Sequence, residues 1–233
     1  DVPCYKIASY EATDIPLLKR IAQTGKPVIM SVGFATRDEI DESVATLRLH
    51  GARHIALLHC VSMYSDNPNP KDMNLRTIGD LRERYGVVSG FSDNNRGIEM
   101  PVLAVAAGAS IIEKHFTLHR EDNSFDARFS LEENEWKKMV DRIREVEEVL
   151  GGIQYGPVNS AEAYNRRFRR SLFVARDIKR GDVFTEENIR DIRPADGLET
   201  KYYEVILGRR ATENVERGTP LSWSLVEGGK PKS

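Results

Sequence analysis

The chain has 233 residues, 34 basic against 36 acidic side chains, a formal net charge of −2 and 40% hydrophobic residues, enough for a sizeable core. The near balance of charge argues against a dedicated nucleic-acid binder, and no apolar run approaches the roughly 18 residues of a membrane span. Cys4 and Cys60 are too few for a disulfide framework, and DVPCYKIASY lacks the layout of a signal peptide, so a reducing cytoplasm is the expected setting.

YKIAS (5–9) opens a series of short apolar runs that continues with PVIMSVG (27–33), HIALLHC (54–60), GVVSGFS (86–92) and ASIIEKHF (109–116). They are β-branched and apolar on both faces, as strands of a covered parallel sheet are. Amphipathic stretches separate them. Thr36 and Glu39 predict a capping box before IDESVATLRLHG, with Gly51 as the stop. Ser130 and Glu133 predict a second box, before a helix that ends at Gly151-Gly152. Its Trp136, Met139, Val140, Ile143, Val146 and Val149 or Leu150 recur at steps of three and four, giving one buried face.

Repeated βα units of this kind mean a parallel α/β fold over residues 1–151. A linker is expected over 152–165. From about 166 to 228 the texture shifts to short strands and KRGD- and ERGT-type turns, a smaller β-rich domain, with 229–233 as a disordered tail. Five units are too few for a closed barrel of eight, so the fold is either an open sheet or part of a longer barrel.

In parallel α/β folds chemistry sits beyond the C-terminal strand ends. Those ends carry Lys6-Ser9-Glu11, Ser31, His59-Cys60-Ser62-Tyr64, Ser92-Asp93-Asn94 and Glu113-Lys114-His115, followed by a loop with Asp122 and Asp126. Serines with a lysine suit a phosphate or carboxylate, and a histidine among amide and acid oxygens suits a divalent metal. Each residue also has a plainer reading. His59 is equally a satisfied core histidine, His115 a partner in a structural ion pair, Cys60 a small buried hydrophobe, and Arg166–Arg170 a solvated basic face.

The runs YKIASYE, GKPVIMSVGFAT, LLHCVSMY, MNLRTIGDL, GFSDNNRGI, IIEKHFTL, FDARFSLE and RRSLFVARDIKRGDVFTEENIRDIRP resemble, in order and spacing, the sialic acid synthase family, which includes pseudaminate and legionaminate synthases. The resemblance implies strands four to eight of a (β/α)8 TIM barrel, followed by a small antifreeze-like (SAF, β-clip) domain. It implies a transferase that condenses phosphoenolpyruvate (PEP) with an N-acetylated amino sugar, such as N-acetylmannosamine or a 6-deoxy diamino sugar, giving a nonulosonic acid and phosphate. Lys6, Ser9, Ser31 and Ser92 match positions that hold PEP. Glu11 matches a general acid/base. Ser62 and Tyr64 fall in the sugar loop, and Asp126 matches an acid that orients the sugar. His115 matches one of two histidines that bind Mn2+ or Mg2+. Arg193 matches an arginine delivered into the partner subunit's site, which implies a domain-swapped homodimer.

Two departures stand out. Asn94 occupies the place of the second metal-binding histidine, an uncharged and weaker donor than imidazole for softer metals. Tyr64 is followed by Ser-Asp-Asn rather than proline. Asn94 therefore keeps open a second reading, a catalytically impaired homologue acting as a carbohydrate-binding or assembly subunit.

Overall fold

A computed structural model describes residues 2–64, 69–121 and 124–231. The five apolar runs form strands β1 (Tyr5–Ile7), β2 (Val28–Ser31), β3 (Ile55–Cys60), β4 (Val88–Asp93) and β5 (Ile111–Lys114), all parallel and ordered β1-β2-β3-β4-β5. A strictly sequential order has no reversal point. Right-handed crossovers then carry every helix to the same side, as in a barrel wall rather than a doubly wound sheet.

The helices between the strands are α1 (Ile15–Ala22), α2 (Arg37–Leu49), α3 (Thr77–Tyr85) and α4 (Glu99–Ala106), with α5 (Glu133–Leu150) after β5. Their apolar faces and one sheet face make the core. Ile7, Met30 and Leu57 pack with Leu18 and Ile21 of α1, Val44 and Leu47 of α2, and Leu81 and Tyr85 of α3. Phe91 packs with Ile78 and Ala104 in a second cluster.

The register defines the opposite face. Lys6, Ile29, Ala56 and Val88 form one rung, Ser31, Leu58, Gly90 and Ile111 the next, and Cys60, Ser92 and Glu113 a third. At the end of the strands this helix-free face turns polar. Gly90 permits it to close tightly, because a Cβ there would lie 2.3 Å from the carbonyl oxygen of Ile111.

Thr36 caps α2 with the expected box, its Oγ1 accepting from Glu39 N while Glu39 Oε2 accepts from Thr36 N. Gly51 and Gly151 follow α2 and α5 with φ of +112° and +47°, conformations that glycine takes without a Cβ clash. The second box differs from expectation. Glu132 and Glu135 form it instead of Ser130 and Glu133. Ser130 is buried, its Oγ donating to Asp126 O, and Leu131 pairs with Phe116, so the helix starts only afterwards. Of the expected face of α5, Met139 is buried, whereas Val149 and Leu150 are exposed.

The chain divides into two units, Asp1–Gly152 and Ile153–Ser233. The second opens with a helix, α6 (Ser160–Asn165), where a linker was expected; Asn159 caps it by accepting from Glu162 N at 2.9 Å. Strands β6 (Ser171–Val174) and β7 (Ile189–Ile192) pair antiparallel, and a short helix, α7 (Tyr203–Ile206), follows. Isolated bridges such as Ile178–Val215 and Ala211–Val226 complete a meandering β layer. Leu172, Val174, Phe184, Ile189, Ile206 and Leu221 fill its core. The expected disordered tail is held at its start, where Gly229 O accepts from Arg209 Nη1 at 2.8 Å; Lys232 and Ser233 lie outside the described residues.

Candidate active site

A pocket of about 240 Å³ lies at the C-terminal ends of the five strands. Its lining includes Lys6, Ser9, Ser31, Ser62, Tyr64, Ser92, Asn94 and His115. Eight of the eleven sequence-predicted site residues thus meet in one concavity, although they come from segments far apart in the chain. Asp126 stands beside it, with Oδ2 3.8 Å from His115 Nδ1, in an adjoining hollow shared with Tyr64, His115 and Phe129. Glu11 closes a single 3-10 turn, Ser9–Glu11, and is half-buried without lining the pocket. Arg193 lies in the second unit, exposed, directly after β7. Asp122 falls outside the described residues.

Lys6 Nζ donates to Ser31 Oγ and to Ile7 O, both at 2.9 Å. It also faces Glu113 Oε1 at 3.5 Å, and the same oxygen accepts from Ser92 Oγ at 2.7 Å. Ser9 Oγ is buried and has no hydrogen-bond partner. An orphaned hydroxyl in a concave site is costly unless a ligand or water completes it. Gly33 lets this wall form, since a Cβ there would come within 2.6 Å of Ser9 Oγ and 2.9 Å of Ser62 Oγ.

The other wall is softer. Cys60 Sγ accepts from Asn94 Nδ2 at 3.2 Å and lies 3.3 Å from Ser62 Oγ. Tyr64 packs against Phe129 and edge-on to His115, with a φ of +50° that a non-glycine residue adopts at a cost of about 1–2 kcal/mol. Burial, and next the neighbouring Tyr10, push its phenol up to about 12, so it remains a hydrogen-bond donor at neutral pH.

Behind the pocket, on the helix-covered side, Lys114 Nζ contacts Asp93 Oδ2 at 2.7 Å with both side chains essentially inaccessible, and also reaches Asn95 O. Asp93 Oδ1 accepts from Asn95 N at 3.1 Å and Asn95 Nδ2 at 3.0 Å. This network anchors residues 93 and 95, so that Asn94 is carried between two fixed neighbours. His59 lies on the same side, stacked near Phe91, its Nε2 2.7 Å from Met73 O. Burial lowers its pKa below the ordinary 6.5, against the opposing pull of the Met73 carbonyl. Of the two readings of His59, the structural one holds.

A family model described as the NeuB family matches residues 1–155, and one described as the SAF domain matches residues 169–227. The chain belongs to the NeuB family. Pseudaminic acid synthase of Campylobacter jejuni (serotype O:23/36) is 40% identical over 224 residues, which are 96% of this chain and 64% of that relative. The N,N'-diacetyllegionaminic acid synthase of Campylobacter jejuni (serotype O:2) is 39% identical over 90% of this chain and 63% of its own. The crystal structure of the N-acetylneuraminic acid (sialic acid) synthetase of Leptospira borgpetersenii, in complex with citrate, is 38% identical. It aligns with a TM-score of 0.64 over 70% of this chain and 56% of that one. The NeuB-family chain spans about two thirds of the length of such relatives.

Membership accounts for the fold: the five-stranded arc is part of a (β/α)8 barrel wall, and the second unit carries the SAF domain. No helix among the described residues is long and apolar enough to cross a membrane.

Among the described residues no group of three or more His, Cys, Asp or Glu side chains could hold a metal ion. His115 and Asn94 line one cavity, and together they present an imidazole and an amide oxygen to it. That fits a hard cation, which retains several water or substrate oxygens, better than a thiophilic one that needs a closed shell.

Glu113, Tyr10 and Cys60 also line the pocket, beyond the residues that the sequence predicts for ligand binding. The polar end of ASIIEKHF was the available signal; which of Glu113 and Lys114 faces inward depends on register, and register places Glu113 with Ser92.

Proposed function

We propose that the protein is a PEP-dependent synthase that joins an N-acetylated amino sugar to the three-carbon unit of PEP, forming a nonulosonic acid and releasing phosphate. One observation carries this reading: Lys6, Ser9, Ser31 and Ser92 line a single cavity, presenting one cation and three hydroxyls to an anion. The names of the relatives point to the same sugar acids, and with them the retained cavity groups do not favour the non-catalytic alternative.

Under this reading Lys6 and the three serines bind the phosphate and carboxylate of PEP. Ser62, Tyr64 and Asp126 hold the sugar, Tyr64 as a donor. Glu11, two residues from Ser9 and outside the cavity lining, exchanges the proton at the reacting carbonyl or the added water through a bridging water. His115 and Asn94 hold Mn2+ or Mg2+, which, when bound, polarises the sugar aldehyde as a Lewis acid. Asp126 orients the His115 ring through Nδ1. Arg193 completes the sugar site of a second copy in a domain-swapped homodimer. The setting is the cytoplasm, where Cys4 and Cys60 stay thiols.

The test is phosphate release from PEP, with Mn2+ and a panel of N-acetylated hexosamines and 6-deoxy diamino sugars. Release is expected with at least one sugar, and Lys6→Met should abolish it. An absence of release with every sugar, beside an active control synthase, would sink the proposal. The dimer is tested by mixing Arg193→Ala with Lys6→Met protein: recovered activity is expected, and none would mean that Arg193 does not serve a partner.

A further inference from the structure

Glu113 is an anion already lodged among the groups assigned to anion binding. An ammonium has three N–H donors. Two of those on Lys6 are committed to Ser31 Oγ and Ile7 O, and the remaining direction faces Glu113 Oε1 at 3.5 Å. The Ser92 proton is committed to the same oxygen at 2.7 Å. The carboxylate is half-buried, so water screens its charge only in part. It is also placed by the sheet rather than by a loop, since Ser92 and Glu113 are register partners on adjacent strands.

We propose that Glu113 is an internal competitor for the anion site: a ligand gains Lys6 and Ser92 only by displacing its carboxylate. This rests on the reading of Lys6, Ser31 and Ser92 as the PEP-binding groups, and it adds a specificity rule to that reading. A monoanionic carboxylate gains little, because it exchanges like for like. A dianionic phosphate or phosphate ester brings more charge and more acceptor oxygens than the group it replaces, and so wins the exchange. Glu113 thereby sets a threshold for binding: a phosphate-bearing ligand clears it, whereas a small organic acid that offers only a carboxylate gains nothing on entering.

The test measures inorganic phosphate binding by titration calorimetry on metal-stripped protein, in wild type and Glu113→Gln. The variant should bind phosphate about tenfold more tightly, the order expected when one nearby like charge is removed. Lys6→Met in the Glu113→Gln background should abolish that gain, locating it at this site. Acetate titrated alone should show no binding to wild type and measurable binding to Glu113→Gln. Where glutamine does not give folded protein, judged by its thermal transition, Glu113→Ala is expected to show the same gain. Equal or weaker phosphate binding in a folded Glu113 variant would overturn the proposal, as would acetate alone binding equally to both proteins. Turnover of PEP separates the two readings. Turnover without tighter phosphate binding in the variant leaves the synthase and removes the competitor. Tighter, Lys6-dependent binding without turnover leaves the competitor and removes the synthase.

Discussion

Asn94 places an uncharged amide where the family resemblance puts a metal-binding histidine. It lines the pocket with His115 and donates to Cys60 Sγ, a bond that an imidazole in the same place would have to replace. Asn94→His should raise Mn2+ affinity, because imidazole is the stronger donor for a borderline cation; unchanged affinity by manganese EPR titration would mean that position 94 does not reach the ion. His59 makes a separate prediction, about stability. Its folded pKa lies below the unfolded value of 6.5, so the unfolded chain takes up more protons in mild acid. The stability it contributes is complete above 6.5 and drains away as pH falls from there through the folded pKa. Urea midpoints taken over this interval should fall with pH in wild type and fall less in His59→Asn. An identical slope in both proteins would show that His59 is not the group responsible. His59 and Glu113 were ambiguous in the sequence for one reason: within a strand apolar on both faces, the side a residue takes is set by pairing, and pairing leaves no local mark.

At the scale of the element, the turn after β4 depends on one buried ion pair. Removing a single member of such a pair leaves the other charge without compensation, at a typical cost of about 3–5 kcal/mol. Lys114→Met should therefore lower unfolding stability by about that amount, and Asp93→Leu combined with Lys114→Met should recover much of it, as measured by chemical denaturation. A double variant no more stable than the single one would show that the Asn95 bonds, rather than the charges, hold the turn. The strands themselves were legible because short β-branched runs separated by capped helices admit few other folds. Helix boundaries were less so. Ser130 and Glu133 have the spacing of a capping box, but the Phe116–Leu131 bridge holds that stretch extended for two more residues. Long-range pairing outweighs a local capping preference, and nothing near Ser130 announces it.

At the largest scale, the five strands of the described residues form an arc with two ends. Among the described residues β1 pairs only with β2, and β5 only with β4, so each leaves a row of backbone groups free to recruit another chain. Residues 1–152 expressed alone should associate or precipitate, and light scattering at increasing concentration would reveal it; a dilute, monomeric preparation with one cooperative melt would contradict this. The sequential strand order that makes an arc also makes the pocket a product of alignment. Cys60, Ser92 and Glu113 face the cavity because three strands agree to within one residue. Insert a single residue early in β4, and Phe91 takes the inward place of Ser92 while the inner wall loses its hydroxyl. The length of each strand is thus as much a part of the ligand specification as the identity of any side chain, and a change of length would erase the site with every functional residue still present in the chain.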